Sequence, residues 1–347
     1  MADITTLYAK SIRLSSPIIV ASSGLTHRFD KIKEFADAGA GAIVLKSVFE
    51  EQLEAEIDQM SGGSDYPEAA EYLAHYVKSH ALSDHIALIE RCKAELQVPI
   101  IASINCYKAD SWLSYAQQLV EAGAAALELN VMRIDTRISQ EWGEPEQQLV
   151  DLVKAVKTVM PKVPLTLKLS RHYTNIVKLA RDLHLAGADG VVLFNRSYMP
   201  DIDIDKEVIT SGAVFSEASD FSESLRYAAL VHGGVGDLGL GLSTGARNGK
   251  DLIKGILAGA DAVQYCTALY KEGAKLITEM NEYLQHWMEK KQYHSVKEFR
   301  GRLAATRVDH ANLYERSQFM KYYASEDPTP VDVLDTSLPH KGHKLEY

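Results

Sequence analysis

The sequence has few cysteines and no long hydrophobic run. Its three cysteines, Cys92, Cys106 and Cys266, are too scattered for a disulfide framework, a zinc site or an iron–sulfur cage. This usage is typical of a reducing compartment such as the cytosol. No apolar stretch reaches the ~18 residues of a membrane-spanning helix. The first residues lack the basic and apolar regions of a signal peptide, so we expect a cytoplasmic protein without a membrane segment.

Positive charge is also scarce. The 347 residues carry 37 Lys and Arg against 47 Asp and Glu, a net charge of −10 at pH 7. This balance disfavours binding to nucleic acid. Apolar residues make up 46% and charged residues 24%, the proportions of an ordinary globular protein, which excludes a disordered or fibrous chain. The acidic run at 201–205 and the isolated histidines show no metal-ligand spacing, so we expect no metal.

A sequence motif that occurs four times organises the chain. The segments AGAGAIVLKS, AGAAALELNV, AGADGVVLFN and AGADAVQYCT begin at residues 38, 122, 186 and 258. Each follows a helix-like stretch, and its glycine suits the left-handed position that ends a helix. The apolar run after each glycine predicts a buried parallel strand.

A second set of apolar runs lies between these repeats, at 16–24, 98–106, 163–170 and 238–245. Together the two sets predict eight strands separated by helices, which is a single-domain (β/α)8 TIM barrel, an α/β fold. The expected strands are 17–22, 42–47, 99–105, 125–131, 164–170, 190–196, 239–244 and 261–266. A doubly wound open sheet is the competing interpretation, but the matched pairs leave no natural edge.

The remaining segments are predicted to be long connections and a tail. Residues 48–80 and 197–230 are long for loops between a strand and a helix. C-terminal helices are expected over 274–323. We therefore expect the barrel with its C-terminal helices to occupy residues 1–323 and a loose tail to occupy 324–347.

Polar residues end every predicted strand, where such barrels carry out their chemistry. Two of these residues are lysines, and a buried ammonium requires an anionic partner. The residues at the eight ends are Ser22-Ser23-Gly24, Lys46-Ser47, Asn105-Cys106, Asn130, Lys168, Asn195-Arg196, Thr244-Gly245 and Cys266-Thr267.

These residue types favour a planar ligand with a phosphate. Asparagine donates and accepts hydrogen bonds, so a ring of Asn with Lys suits a heterocycle with carbonyl and N–H groups, such as a flavin or a pyrimidine. Thr244-Gly245 and Cys266-Thr267 each precede a helix, where free N–H groups favour a phosphate. The alternatives without a functional role are that the lysines are exposed loop residues and that Gly245 only makes a turn.

The chain resembles the dihydroorotate dehydrogenase family, including the related pyrimidine domain of dihydropyrimidine dehydrogenase. Eight matching pieces occur in the family's order over roughly residues 4–303. They are ASSG (21–24), LKS (45–47), IIASINCYKADSW (100–112), GAAALELN (123–130), LTLKLS (165–170), GADGVVLFN (187–195), GADAVQYCTAL (259–269) and SVKEFRGRL (295–303).

The resemblance implies a (β/α)8 barrel that binds FMN at the carboxyl ends of its strands. By this likeness, Lys168 would face the N1/O2 edge of the flavin and stabilise the negative charge of the reduced form. Residues Ser23, Gly24, Lys46, Ser47, Asn105, Asn130 and Asn195 would line the flavin and the substrate. Thr244, Gly245, Cys266 and Thr267 would hold the phosphate.

The sequence departs from the family on the substrate side. Where family members place a Cys or Ser that takes the substrate proton, this chain has Arg133, which cannot act as a base near neutral pH. Arg196 follows the strand-six Asn in place of the usual Ser or Thr. The family's loop motif after strand two is missing. Cys106 and Tyr198 are the alternative candidates for the base.

We therefore expect an FMN-dependent oxidoreductase that transfers hydride between flavin N5 and a C–C bond beside a carbonyl. Arg133 and Arg196 suggest a small anionic substrate, which permits dihydroorotate and places the enzyme in pyrimidine biosynthesis. A soluble electron acceptor or partner protein is expected, and a homodimer by family analogy. Two alternatives stay open: a barrel lyase with a Schiff base on Lys46 or Lys168, and a flavin-binding protein without catalysis.

Overall fold

The computed structural model describes residues 2–50, 82–105, 109–132, 134–308 and 312–316. By its contacts the chain divides into two units, residues 1–314 and residues 315–347. The first contains a closed barrel of parallel strands. The predicted boundary between residues 323 and 324 lies outside the described residues and stays a prediction.

Eight strands, here β1 to β8, form the barrel. In sheet order they run β2-β1-β8-β7-β6-β5-β4-β3, and a parallel pairing of β2 with β3 closes the ring. This confirms the predicted (β/α)8 fold and excludes the open sheet. The strands are Ile18–Val20, Ala42–Val44, Ile100–Asn105, Ala126–Asn130, Leu165–Leu169, Gly190–Leu193, Gly239–Leu242 and Ala262–Tyr265.

Helices follow the strands on the outside of the barrel and continue after β8. Helix α2 is described over 82–95. The others are α1 (Phe29–Asp37), α3 (Ala109–Glu121), α4 (Glu144–Val159), α5 (Ile176–Ala186), α6 (Asp220–Gly234), α7 (Gly249–Ala258), α8 (Thr267–Glu272), α9 (Lys275–Lys291) and α10 (Asn312–Glu315).

The four repeats share one backbone arrangement. The glycine that ends each preceding helix has a positive φ, between 93° and 123°, as the sequence predicted. Two residues later, each repeat donates its N–H to a carbonyl of the preceding strand of the barrel. For example, Asp189 N donates to Leu165 O and Asp261 N to Leu240 O, both at 2.8 Å. The repeated motif therefore determines where every second strand begins to pair with the preceding one.

Two predicted segments differ from expectation. Strand β2 ends at Val44 instead of residue 47, because the next N–H groups leave the sheet: Lys46 N bonds to Thr26 O and Ser47 N to the side chain of Ser22. Parallel pairing with β3 resumes at Val48–Phe49. The 197–230 connection contains an antiparallel hairpin, Pro200–Asp203 with Val208–Ser211, before α6 begins. The 48–80 connection falls outside the described residues after Glu50.

The interior of the barrel changes from apolar to polar along the strands. At the amino-terminal end, Ala42, Ile101, Ala126 and Ala262 pack with the N-terminal hairpin formed by Thr6–Tyr8 and Ile12–Leu14. A Cβ on Gly239 would lie 2.8 Å from the backbone of Ala9, so the hairpin seals this end closely. Residues two apart on a strand share a face. At the carboxyl end of the strands, the inward-facing positions are occupied by polar residues.

His232 of α6 lies in a crowded position between the turns at Gly259 and Gly301. Burial, and then the charges of Arg300 and Arg307, lower the pKa of His232 to about 4 from its ordinary value of 6.5. The folded state therefore binds fewer protons than the unfolded state below pH 6.5. This contribution to stability is complete above pH 6.5 and is lost as the pH falls toward 4.

We predict that His232→Gln flattens this acid dependence. Wild-type stability should fall by about 1 kcal/mol more than that of the variant between pH 7 and pH 5, after a discount for the partial exposure of the ring. Urea unfolding at the two pH values measures the difference. His286→Gln, at an exposed position on α9, is the control and should keep the wild-type slope. An equal slope in His232→Gln would contradict the assignment.

Candidate functional site at the carboxyl end of the barrel

A buried lysine lies in the polar end of the barrel. Lys168 of β5 donates through Nζ to Gln264 Oε1 of β8 at 2.8 Å. Gln264 Nε2 in turn donates to Glu128 Oε2 of β4 at 2.5 Å. The second carboxylate oxygen, Glu128 Oε1, lies 3.8 Å from Lys168 Nζ. Glu128 is completely buried, so its charge supplies the anionic partner that the sequence required of a buried lysine.

A chain of hydroxyl groups connects the ends of β1, β2 and β3. Ser22 Oγ lies 3.1 Å from Ser47 Oγ, and Ser47 Oγ lies 2.7 Å from Ser103 Oγ. Ser47 and Ser103 are buried. Ser23 begins the short turn Gly24–Thr26, and its hydroxyl accepts from Leu25 N. Predicted residues Ser23 and Ser47 thus lie at the same end of the barrel as Lys168.

Two of the three predicted asparagines contact each other. Asn195 Nδ2, just after β6, donates to Asn130 Oδ1 at the end of β4, at 2.7 Å. Both side chains are partly exposed at the barrel mouth. Asn105 ends β3 and Lys46 follows β2; each is partly exposed, and the backbone carbonyl of Lys46 interacts with His85 at 3.2 Å. The predicted Asn and Lys side chains therefore lie around the carboxyl-end rim of the barrel, at the ends of β2, β3, β4 and β6.

The ends of β7 and β8 carry the residues predicted to hold a phosphate. Thr244 has a positive φ of 71° and donates through Oγ1 to Phe194 O. Thr267 begins α8, and its Oγ1 accepts from both Ser216 N and Ser216 Oγ, at 3.2 and 3.0 Å. Ser216 is buried and comes from the connection after β6. This connection therefore covers the start of α8.

Two arginines hold the covering segment, residues 213–217, in place. Arg196 donates to Val214 O and Ala213 O and pairs with Asp220 at 3.1 Å. Arg247 donates to Ser216 O and pairs with Glu217 at 2.9 Å. The guanidinium of Arg196 is therefore directed at the protein's own loop. Its assignment to substrate stays a prediction, now with this competing structural role.

Cys266 lies between the lysine and the serine turn. Burial raises the pKa of its thiol, while the charge of Lys168 and a hydrogen bond with Ser23 lower it; burial dominates. The group therefore stays a neutral thiol. Gly24 is close by on the same turn, and a Cβ there would lie 2.7 Å from Tyr270 Oη of α8. Both contacts tie the β1 turn to the start of α8.

The structure describes one of the two candidate bases. Cys106 and Arg133 lie outside the described residues. Tyr198 is 64% exposed, and its hydroxyl donates to Thr210 O within the hairpin. Arg196, which is close to Tyr198 in sequence, makes its hydrogen bonds to residues 213, 214 and 220.

Sequence reasoning missed Glu128, Gln264, Ser103 and Ser216. The first three point into the barrel two residues before a strand-end residue that was identified: Asn130, Cys266 and Asn105. The signal was present, since residues two apart on a strand share a face. Ser216 had no such signal, because the path of a long connection is not encoded in a short-range pattern.

Among the described residues, the helices include none long and apolar enough to cross a membrane. No group of three or more His, Cys, Asp or Glu side chains that would suit a metal ion occurs in the described part of the chain.

The closed parallel barrel and its polar carboxyl end define an α/β-barrel enzyme. Comparison with known proteins identifies the family within this class. The family described as dihydroorotate dehydrogenase matches residues 68–288. The chain belongs to the dihydroorotate dehydrogenase family, and it is accordingly an oxidoreductase acting on CH–CH groups; proteins of this family are flavin-dependent.

Several curated relatives are similar over most of their length. The chain is 30% identical to the protein named dihydroorotate dehydrogenase B (NAD(+)), catalytic subunit, of Thermoplasma volcanium, over 87% of this chain and 98% of the relative. A protein of the same name from Thermoplasma acidophilum is 28% identical over 87% and 99%, respectively. Another from Pyrococcus horikoshii is 26% identical over 84% and 94%.

The family assignment confirms the predicted resemblance and decides among the readings that the sequence left open. It favours the oxidoreductase over the barrel lyase and over a flavin-binding protein without catalysis. The amine of Lys168 is engaged by the protein itself, since it is hydrogen-bonded to Gln264 and lies 3.8 Å from Glu128 Oε1.

The pairing of Lys168 with Glu128 generates a stability prediction. Lys168→Met leaves a fully buried carboxylate without its cation, so we expect a loss of about 3–5 kcal/mol in the free energy of unfolding. Adding Glu128→Gln removes the orphaned charge and should restore more than half of that loss. Urea denaturation of the full-length single and double variants measures both values. Equal stability of the two variants would show that the pair is not coupled.

Proposed function

We propose that the protein is an FMN-dependent enzyme that transfers hydride between a C–C bond beside a carbonyl and flavin N5. FMN, when bound, supplies the hydride acceptor at N5. The observation that carries the proposal is the buried Lys168, held by Gln264 and Glu128 at the barrel end where such enzymes act. A cation in this position stabilises negative charge at the N1/O2 edge of a reduced flavin.

The surrounding residues fit the chemistry of the flavin ring. The ring needs donors and acceptors along one edge, and Asn105 and Asn130 supply amides at the ends of β3 and β4. Ser47 supplies a hydroxyl in the chain with Ser22 and Ser103. In this proposal Ser23, Gly24 and Lys46 complete the contacts with the ring, as the family resemblance implies.

The phosphate of FMN is assigned to the ends of β7 and β8. In support, α8 begins at Thr267 with Cys266 preceding it, and the side chain of Cys266 makes no capping hydrogen bond. N–H groups at a helix start favour an anion. By contrast, the first turn of α7 is already capped by Asn248, which accepts from Lys250 N and Asp251 N. We therefore assign the phosphate to the turn at Thr244-Gly245 and the start of α8.

The proposed substrate is dihydroorotate or a related small anion. Asn130 and Asn195 form one hydrogen-bonded pair at the mouth, and paired amides suit a ring that carries carbonyl and N–H groups. Lys46 supplies positive charge for a carboxylate, and Arg196 is the second predicted contact. Cys106 is the proposed base that takes the proton, because Arg133 cannot.

Electrons from the reduced flavin are proposed to leave through a soluble acceptor or a partner protein. Three relatives are named as catalytic subunits of an NAD(+) enzyme, which supports a second, electron-transferring subunit for this chain as well. A cytoplasmic location and a possible homodimer complete the proposal. Neither nucleic acid nor a membrane is part of it.

The phosphate assignment is tested at Thr267. Thr267→Glu places an anion at the start of α8, while Thr267→Gln disturbs the same contacts with Ser216 without adding charge. We expect the affinity for FMN to be at least 100-fold lower in the Glu variant than in the Gln variant, by repulsion. Fluorescence titration of the full-length apoprotein with FMN measures this affinity. Lys271→Glu, later on the same helix and beside Phe215, is the control and should keep near wild-type affinity.

Gly245→Glu, the obvious partner variant, is a poor test. Gly245 has a φ of 86°, and a Cβ there would lie 2.3 Å from Phe221 N, so the substitution strains the backbone whatever the ligand. Full FMN affinity in Thr267→Glu would refute the phosphate assignment.

The substrate and base are tested by rapid mixing under anaerobic conditions. Dihydroorotate should bleach the flavin of the FMN-loaded protein, and Cys106→Ala should slow the bleaching by about 10²–10⁴-fold, the usual contribution of a general base. Tyr198→Phe is the matched control, since its hydroxyl bonds within the hairpin. Bleaching only by other dihydropyrimidines would change the substrate, and an unchanged rate in Cys106→Ala would place the base elsewhere.

A further inference from the structure

Contacts within the protein hold the side chain of Lys168 in place. Gln264 lies between the ammonium and the carboxylate, because its carbonyl oxygen accepts from Lys168 Nζ and its amide nitrogen donates to Glu128 Oε2. The remaining oxygen, Glu128 Oε1, accepts no hydrogen bond from the described residues and lies 3.8 Å from Nζ. A direct charge-assisted contact would be about 2.7–2.9 Å. The amide therefore keeps the two charges apart.

Two titratable groups near Lys168, Gln264 and Glu128 stay neutral. Toward the amino-terminal end of the barrel, burial and then the charges of Glu128 and Asp261 raise the pKa of Tyr8 well above its ordinary value. Next to Lys168, burial raises the pKa of the Cys266 thiol. The buried charges next to the ammonium of Lys168 are therefore those of Glu128, 3.8 Å away, with Gln264 as a neutral bridge. Changing Glu128 or Lys168 alters the charge of a low-dielectric interior by a full unit, where its effect on a neighbouring ring is large.

We propose that Glu128 and Gln264 are positioning residues that act through Lys168 to set the reduction potential of the bound flavin. Gln264 holds the ammonium toward the barrel mouth and away from Glu128. Glu128 offsets part of the positive charge that the flavin experiences. This inference rests on the proposed function, since it requires FMN in the barrel mouth.

The two residues have opposite effects in this arrangement. Glu128→Gln keeps the shape of the side chain but removes the offsetting charge, so the reduced, more negative flavin is favoured. We expect reduced flavin to bind about tenfold more tightly relative to oxidised flavin, a rise of about 30 mV in the two-electron potential. Gln264→Met removes the bridging amide, so Lys168 closes on Glu128 and recedes from the mouth. The potential should then fall, with a roughly threefold weaker relative binding of reduced flavin.

The experiment measures the midpoint potential of the full-length, FMN-loaded protein by equilibrium reduction against reference dyes, with no substrate present. Asp189→Asn is the matched control. It also removes a carboxylate paired with a lysine, Lys157 at 2.5 Å, but at the amino-terminal end of β6. Its potential should equal that of the wild type.

Shifts of opposite sign in Glu128→Gln and Gln264→Met, with an unshifted control, support the inference. Unchanged potentials, or shifts in the same direction, overturn it. Should one variant fail to fold, the sign of the shift in the other decides in the same way. Failure of the wild-type protein to bind FMN is a different result, because it refutes the proposed function itself.

Discussion

The buried ammonium of Lys168 is the constraint on which the arrangement of the site depends. A charge in the barrel interior must be paired and hydrogen-bonded, or it is too costly to bury. Glu128 and Gln264 meet this requirement from two other strands, so β4, β5 and β8 must keep their register for the site to exist. A slip of one residue in any of these strands would turn its side chain out of the barrel. The pairing of the sheet and the chemistry of the mouth are therefore linked.

The opposite end of the barrel makes this polar interior tolerable. The N-terminal hairpin and small apolar residues such as Ala126 and Ala262 fill the barrel below Glu128. Water is thereby kept from the lower side of the charged set, and electrostatic interactions within it are stronger than in solvent. Asp189 and Asp261 are equivalent positions of the repeat, and each accepts a strand N–H while pairing with a cation. These contacts fix the strand starts at this sealed end.

The sequence predicted the barrel and the residues at its strand ends because both depend on local, periodic signals. Glycine-ended helices followed by apolar runs are visible without knowledge of distant contacts, and the eight observed strands fall within the predicted ranges. Glu128 and Gln264 were not predicted, because the strand-end pattern marks only the last residue of each strand and these two lie two positions earlier on the same face. The hairpin at 200–211 and the contacts of Ser216 are not periodic features. They depend on where a long connection returns to the barrel, which no local pattern specifies.

Two arginines near the barrel mouth contribute to the structure of the covering segment. Arg196, a predicted substrate contact, and Arg247, which follows the turn after β7, each bond carbonyl oxygens of residues 213–217 and pair with a carboxylate, Asp220 or Glu217. In the proposed assignment, the phosphate of FMN would be recognised by neutral donors at the start of α8, since both guanidinium groups are engaged by the protein. Such donors would hold an anion without adding cations near the flavin, and the charge at the ring would then depend on Lys168 and its two partners.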